Sequence, residues 1–133
     1  GNGTVTGLYN DGNPAAESRL FWQHLRIAGF VPGLTTGAGA TVPPPNAAGG
    51  VIGVESGVIG TNGLGFTSLI LCFSNLPEKV ASAIDTQMDD GRPDTGAVRA
   101  QQQTAANPPT QAATTITAYV ETGANQYLIC KNY

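Results

Sequence analysis

Hydrophobic positions recur along the chain with two spacings. After a turn-rich lead from Gly1 to Gly12, Phe21, Leu25 and Ala28 fall on one helical stripe with Leu20 and Ile27 beside it, which predicts an amphipathic helix over about 14–28. Asn13 and Pro14 supply an N-cap residue and a proline at the first helical position, and Gly29 and Pro32 end the pattern. Trp22 and His24 ride on this helix, Trp22 as a packing group and His24 as a partly exposed side chain. From 32 to 50 the chain reads as loop, with Pro43-Pro44-Pro45 excluding regular structure. Val51 to Val54 and Gly57 to Ile59 predict a short strand or hairpin, with a turn at Thr61-Asn62-Gly63. The apolar, β-forming run Phe66 to Phe73 predicts the central strand.

Asn75-Leu76-Pro77-Glu78 has capping-box spacing and predicts a second helix. Leu76, Val80, Ile84 and Met88 form its apolar stripe, Ala81 and Ala83 its margins, and Gly91 its C′ residue. Ala97-Val98 reads as a brief strand and Gln101 to Ala113 as a polar loop. Thr115 to Val120 alternates strictly, and Gln126 to Cys130 follows a turn at Gly123-Ala124-Asn125, so the end predicts an antiparallel hairpin. The sum is one α+β domain over 1–133, a short antiparallel sheet packed against two helices.

Composition narrows the function classes. Charged residues are 11% of the chain, against about 25% in an average soluble domain, so the polar surface is largely Thr, Asn, Gln and Ser. That balance leans toward an extracellular or self-packing protein. Six Lys and Arg scattered from Arg19 to Lys131, in a chain of net charge −3, give no basic stripe and exclude a nucleic-acid partner. No apolar run approaches the roughly 18 residues of a membrane span. Cys72 and Cys130 lie in strand-like contexts without CxxC spacing, which reads as a disulfide, with two buried thiols as the alternative. Such a bond would close a loop of about 60 residues, be worth about 4 kcal/mol in the chain-entropy picture, and imply an oxidising compartment.

Candidate chemistry is sparse. Asp94-Thr95-Gly96 is the aspartic-protease tripeptide, but Arg92-Pro93 precedes it where a hydrophobic strand belongs. A dyad would also need a second copy from a homodimer. His24 is the only histidine and no GxSxG elbow accompanies it, so a hydrolase triad is unsupported. The glycines match neither dinucleotide nor P-loop spacing, and Asn2-Gly3-Thr4 is a three-residue glycosylation sequon. Asp89 and Asp90 stand at a predicted helix C-terminus, where the dipole disfavours negative charge. With Asp85 and Asp94 they make an acidic group whose expected partners are Arg92 and Arg99; a hard cation such as calcium is the sharper alternative, without EF-hand spacing. No catalytic residue and no cofactor are expected.

Two segments together resemble proteobacterial type IV pilin-like proteins: Leu20-Phe21-Trp22-Gln23-His24-Leu25-Arg26-Ile27-Ala28-Gly29-Phe30, and Cys72 through Asn75-Leu76-Pro77 to Ala83-Ile84-Asp85, Asp89-Asp90-Gly91, Pro93, Thr95-Gly96 and Val98-Arg99. The likeness runs from about Gly1 to Pro32 and from Phe66 to the end, with a terminal strand carrying the second cysteine. It implies a pilin-like head, a structural subunit (major or minor pilin) of a cell-surface filament serving adhesion, motility or surface contact. Its partners would be other pilin subunits and, before assembly, the inner membrane. The family's cleavage motif and long hydrophobic amino-terminal helix are absent from this sequence, and their removal would explain a start at Gly1. The alternatives are a type II secretion pseudopilin, a secreted adhesin or ligand-binding module using the loops 33–50 and 100–113, and an aspartic protease dimer.

Overall fold

A computed structural model describes residues 1–58 and 60–133. Among them are two helices, α1 (Glu17–Ile27) and α2 (Glu78–Met88), and four strands, β1 (Ile52–Ser56), β2 (Leu69–Pro77), β3 (Val98–Gln102) and β4 (Gln126–Asn132). The strands form one antiparallel sheet in the order β1-β2-β4-β3, an α+β fold. Gly57 and Val58 lie beyond β1, with Val58 bridged to Asn62; Ile59 lies outside the described residues.

The apolar run read as the central strand is central, shifted to Leu69–Pro77, with β1 on one side and β4 on the other. One sheet face carries Ile70, Cys72, Leu128 and Cys130, covered by Tyr9, Leu64 and Phe66 from the lead and a loop. Here β1 needs Gly53, because a Cβ at that position would run into the backbone carbonyl of Tyr9. The other face carries Val98, Ala100, Tyr127 and Ile129, covered by Ala81 and Ile84 of α2 and by Ile116 and Tyr119.

Helix α1 starts a turn later than Asn13-Pro14 suggested. Asn13 instead closes a turn, its Oδ1 accepting the Ala15 N–H at 3.0 Å, and Ala16 is the N-cap with no side-chain cap. The buried stripe is Ser18, Trp22 and Arg26, so Trp22 and Arg26 take the inward places expected of Phe21 and Leu25, and Ala28 is exposed. Arg26 is the reason: its guanidinium donates to the carbonyls of Ala40 at 2.6 Å and Val42 at 2.7 Å, which draws the side chain inward. The end of α1 is a Schellman turn at Gly29 (φ 80°), with Phe30 N–H on Leu25 and Gly29 N–H on Arg26.

Helix α2 follows β2 with no loop, so Asn75 is not its N-cap; Pro77 is. Asn75 sits in a bulge at φ 57°, and its side chain holds Gln103, Asn107 and Gly49. The buried face is Glu78, Ala81 and Asp85, whereas Val80 and Met88 are exposed. The apolar stripe again missed by one position, because two carboxylates with distant partners occupy the inner face. Asp89 is the C-cap, so Gly91 (φ 75°) falls one residue past C′.

The terminal hairpin does not form. β4 is hydrogen-bonded on one side by β2 and on the other by β3, which leaves no edge for Thr115 to Val120. That segment instead packs Ile116 and Tyr119 into the second cluster, and the Tyr119 hydroxyl donates to Asp85 of α2. β3 is longer than Ala97-Val98 and absorbs Gln101, whose side-chain oxygen accepts the Gln111 N–H at 2.8 Å.

Candidate functional site

The acidic group spans the last turn of α2, which carries Asp85, and the turn from there to β3, which carries Asp89, Asp90 and Asp94. Asp85, Asp89 and Asp90 bring one carboxylate oxygen each within 4.8 Å of the others. Every one of them already has a donor. Asp85, fully buried, accepts the Tyr119 hydroxyl at 2.6 Å and the Gly91 N–H at 3.1 Å. Asp89 accepts the Val98 N–H at 2.9 Å, and Asp90 accepts the Thr95 hydroxyl and the Arg92 N–H at 2.9 Å. Asp94 is drawn out of the group by an ion pair with Arg92 at 3.0 Å. Arg99 does not join: it lies over the Phe66 ring at 4.3 Å and donates to the Leu64 carbonyl, on the opposite sheet face.

This turn also covers an open sheet edge. Three outward backbone groups of β3 are met: the Val98 N–H by the Asp89 carboxylate, the Ala100 N–H by the Pro93 carbonyl and the Ala100 carbonyl by the Thr114 hydroxyl. An unpaired strand edge is a template for unwanted pairing, and here side chains and a loop take its place.

Burial pushes the Asp85 carboxyl above its ordinary range; the Tyr119 hydroxyl and Gly91 N–H offset part of this, while Asp90 and Asp89 add to the rise. The Asp90 carboxyl is held below its ordinary range, first by the Thr95 hydroxyl and then by the Arg92 N–H. At the start of α2, burial pushes Glu78 up, but the N–H groups of Gly123 and Asn125 outweigh it and leave the carboxyl below the usual range. Tyr119 is pushed upward by burial and by its bond to Asp85.

The other singled-out residues do not meet. Asp94-Thr95-Gly96 sits in the same turn, with Asp94 spent on Arg92. His24 is exposed on α1, and Trp22 is buried edge-on to Phe21 at 5.3 Å between ring centres. Cys72 and Cys130 are joined by a disulfide.

A second polar centre went unread in the sequence. Glu55 of β1 is fully buried and accepts the Tyr9 N–H at 2.8 Å, the Asn62 amide at 3.0 Å and the Thr110 hydroxyl, tying three loops to the sheet. A lone carboxylate amid Val51 to Val58 was the available signal. Tyr119 was hidden by its segment's strand-like alternation.

An apolar strip crosses the sheet between the helices. Phe21, Val54, Leu69 and Leu71 line one part, Phe73, Ile84 and Met88 the other, and Tyr133 touches both. Among the described residues no helix is long and apolar enough to cross a membrane. No family model, curated protein or solved structure matches the chain.

Proposed function

We propose that this chain is the head of a type IV pilin-like subunit whose role is structural: to pack repeatedly along a cell-surface filament used for adhesion, motility or surface contact. The observation that carries the reading is the ordered run of motif segments, Phe21 to Gly29, then Cys72, then Asp85 to Gly91, then Cys130. What supports it further is how those segments spend their polar groups. Arg26 fastens the loop after α1, and Asp85, Asp89 and Asp90 brace the turn beyond α2. Groups so engaged serve shape rather than turnover.

The apolar strip beside Leu71 and Phe73 is a surface that the hydrophobic amino-terminal helix of such a subunit could bury. In that arrangement the subunit is anchored in the inner membrane facing the periplasm and is extracellular once assembled. The 133-residue chain alone is then a soluble monomer or weak dimer, because the element that drives assembly is the helix.

The test is genetic and microscopic. Deleting the gene, or blocking processing of its leader, should reduce piliation or change filament number, with rescue by the full-length form alone. Unchanged piliation together with immunogold label on no filament would reject the proposal.

A further inference from the structure

The dipeptide Asn-Gly occurs twice, at Asn2-Gly3 and Asn62-Gly63, and the fold treats the two oppositely. Asn-Gly is the pairing in which a backbone nitrogen most readily reaches the preceding side-chain amide, since glycine offers no Cβ to obstruct the approach.

Asn62 is buried, its amide nitrogen donating to Glu55 at 3.0 Å, and the Gly63 N–H that would have to attack is held on the Thr110 hydroxyl at 3.1 Å. Asn2 and Gly3 are exposed, with open space around Gly3. The Asn2 Oδ1 accepts both the Thr4 N–H at 3.1 Å and the Thr4 hydroxyl at 2.9 Å. Those donors rest on the oxygen that becomes negative if nitrogen adds to the amide carbon, the arrangement that favours a tetrahedral intermediate.

We infer that Asn2 is a self-modification site: it deamidates spontaneously in the folded protein, whereas Asn62 is protected by the fold. The Gly3 nitrogen, on losing its proton to water, bonds to Cγ of Asn2. The Cγ–Nδ2 bond then breaks, ammonia leaves with a proton from water, and a succinimide ring remains. Water opens the ring at either carbonyl to give aspartate or isoaspartate, so water is the sole co-reactant and nothing is oxidised or reduced. The product is one charge more negative than the starting net charge of −3.

Peptide mapping of the 133-residue chain aged at mildly alkaline pH tests this, with isoaspartate read by enzymatic methylation. The Asn2 peptide should gain one mass unit and an isoaspartate signal, faster as pH rises. The Asn62 peptide should change only in concentrated urea. Thr4→Val, which removes one donor and leaves the sequence Asn-Gly intact, should slow Asn2 by about fivefold, the kinetic equivalent of one ordinary hydrogen bond. An unchanged Asn2, an equal rate at Asn62 in the folded chain, no effect of Thr4→Val, or a glycan on Asn2 in protein from its host would each overturn the inference.

Discussion

Cys72 and Cys130 stand directly opposite one another on β2 and β4, their Cα atoms 4.1 Å apart, in the two inner strands of the sheet. The bond joins residues 58 apart in sequence, and both sulfur-bearing residues are fully buried in the first core cluster. The closed loop contains α2 and β3, so the cross-link holds together in the unfolded chain the two strands, β2 and β4, that form the centre of the sheet.

Replacing both cysteines by alanine should therefore cost about 4 kcal/mol of unfolding free energy, with overlap between the chain-entropy effect and lost packing. Urea unfolding of the variant against the oxidised protein measures it. Mass spectrometry of the unreduced native protein should show it two hydrogens lighter than the dithiol; two alkylatable thiols would contradict the bond.

Arg26 offers a sharper local test. Its planar fork reaches the Ala40 and Val42 carbonyls at once, a task a single ammonium cannot match. Arg26→Lys should recover little of the loss caused by Arg26→Ala, which we expect at about 2–3 kcal/mol. Limited proteolysis between Pro32 and Val42 should accelerate in both variants, and equal stability of Arg26→Lys and the native chain would count against this role.

Glu78 sets a pH dependence whose sign is fixed. Its folded carboxyl lies below the ordinary range, held there by the Gly123 and Asn125 N–H groups against the opposing effect of burial. In that window the unfolded chain binds more protons than the folded one, so the contribution of Glu78 is present above the ordinary carboxylate range and is lost as pH falls through its folded value. Glu78→Gln should lower the Tm at neutral pH, and the gap from the native chain should close in acid. A gap that widens in acid would reverse the assignment.

The acidic turn should behave as a brace. Asp90→Ala removes the acceptor of the Thr95 hydroxyl and of the Arg92 N–H and should lower the Tm. Since Asp85, Asp89 and Asp90 each have donors within the chain, calcium or a chelator should leave the Tm unchanged. A rise with calcium that Asp90→Ala abolishes would show instead that a cation organises the turn.

Much of the scaffold was legible in the sequence because its cause is local. The run Phe66 to Phe73 is apolar and β-forming wherever it is placed, and its part from Leu69 to Phe73 became the first half of β2, while Phe66 turned back to cover the sheet. Gly29 ended α1 because only a residue at ease with φ 80° closes that turn. The two helices could be found from periodicity, but their inward faces could not. A binary reading counts Arg26, Glu78 and Asp85 as outward-facing, yet each is buried against partners 14, 45 and 34 residues away.

The pairing of the last strand was settled still farther afield. Thr115 to Val120 alternates as well as a strand can, but β2 and β3 already flank β4, and strict alternation cannot reveal that an edge is occupied. The two Asn-Gly dipeptides make the same point in chemical terms. As sequence they are identical, and only the fold gives Asn62 a buried carboxylate and Gly63 an acceptor while leaving Asn2 and Gly3 in the open. Local composition determined which elements this chain can form. Which faces they bury, and which groups stay reactive, depended on long-range hydrogen bonds that exist only once the chain is folded.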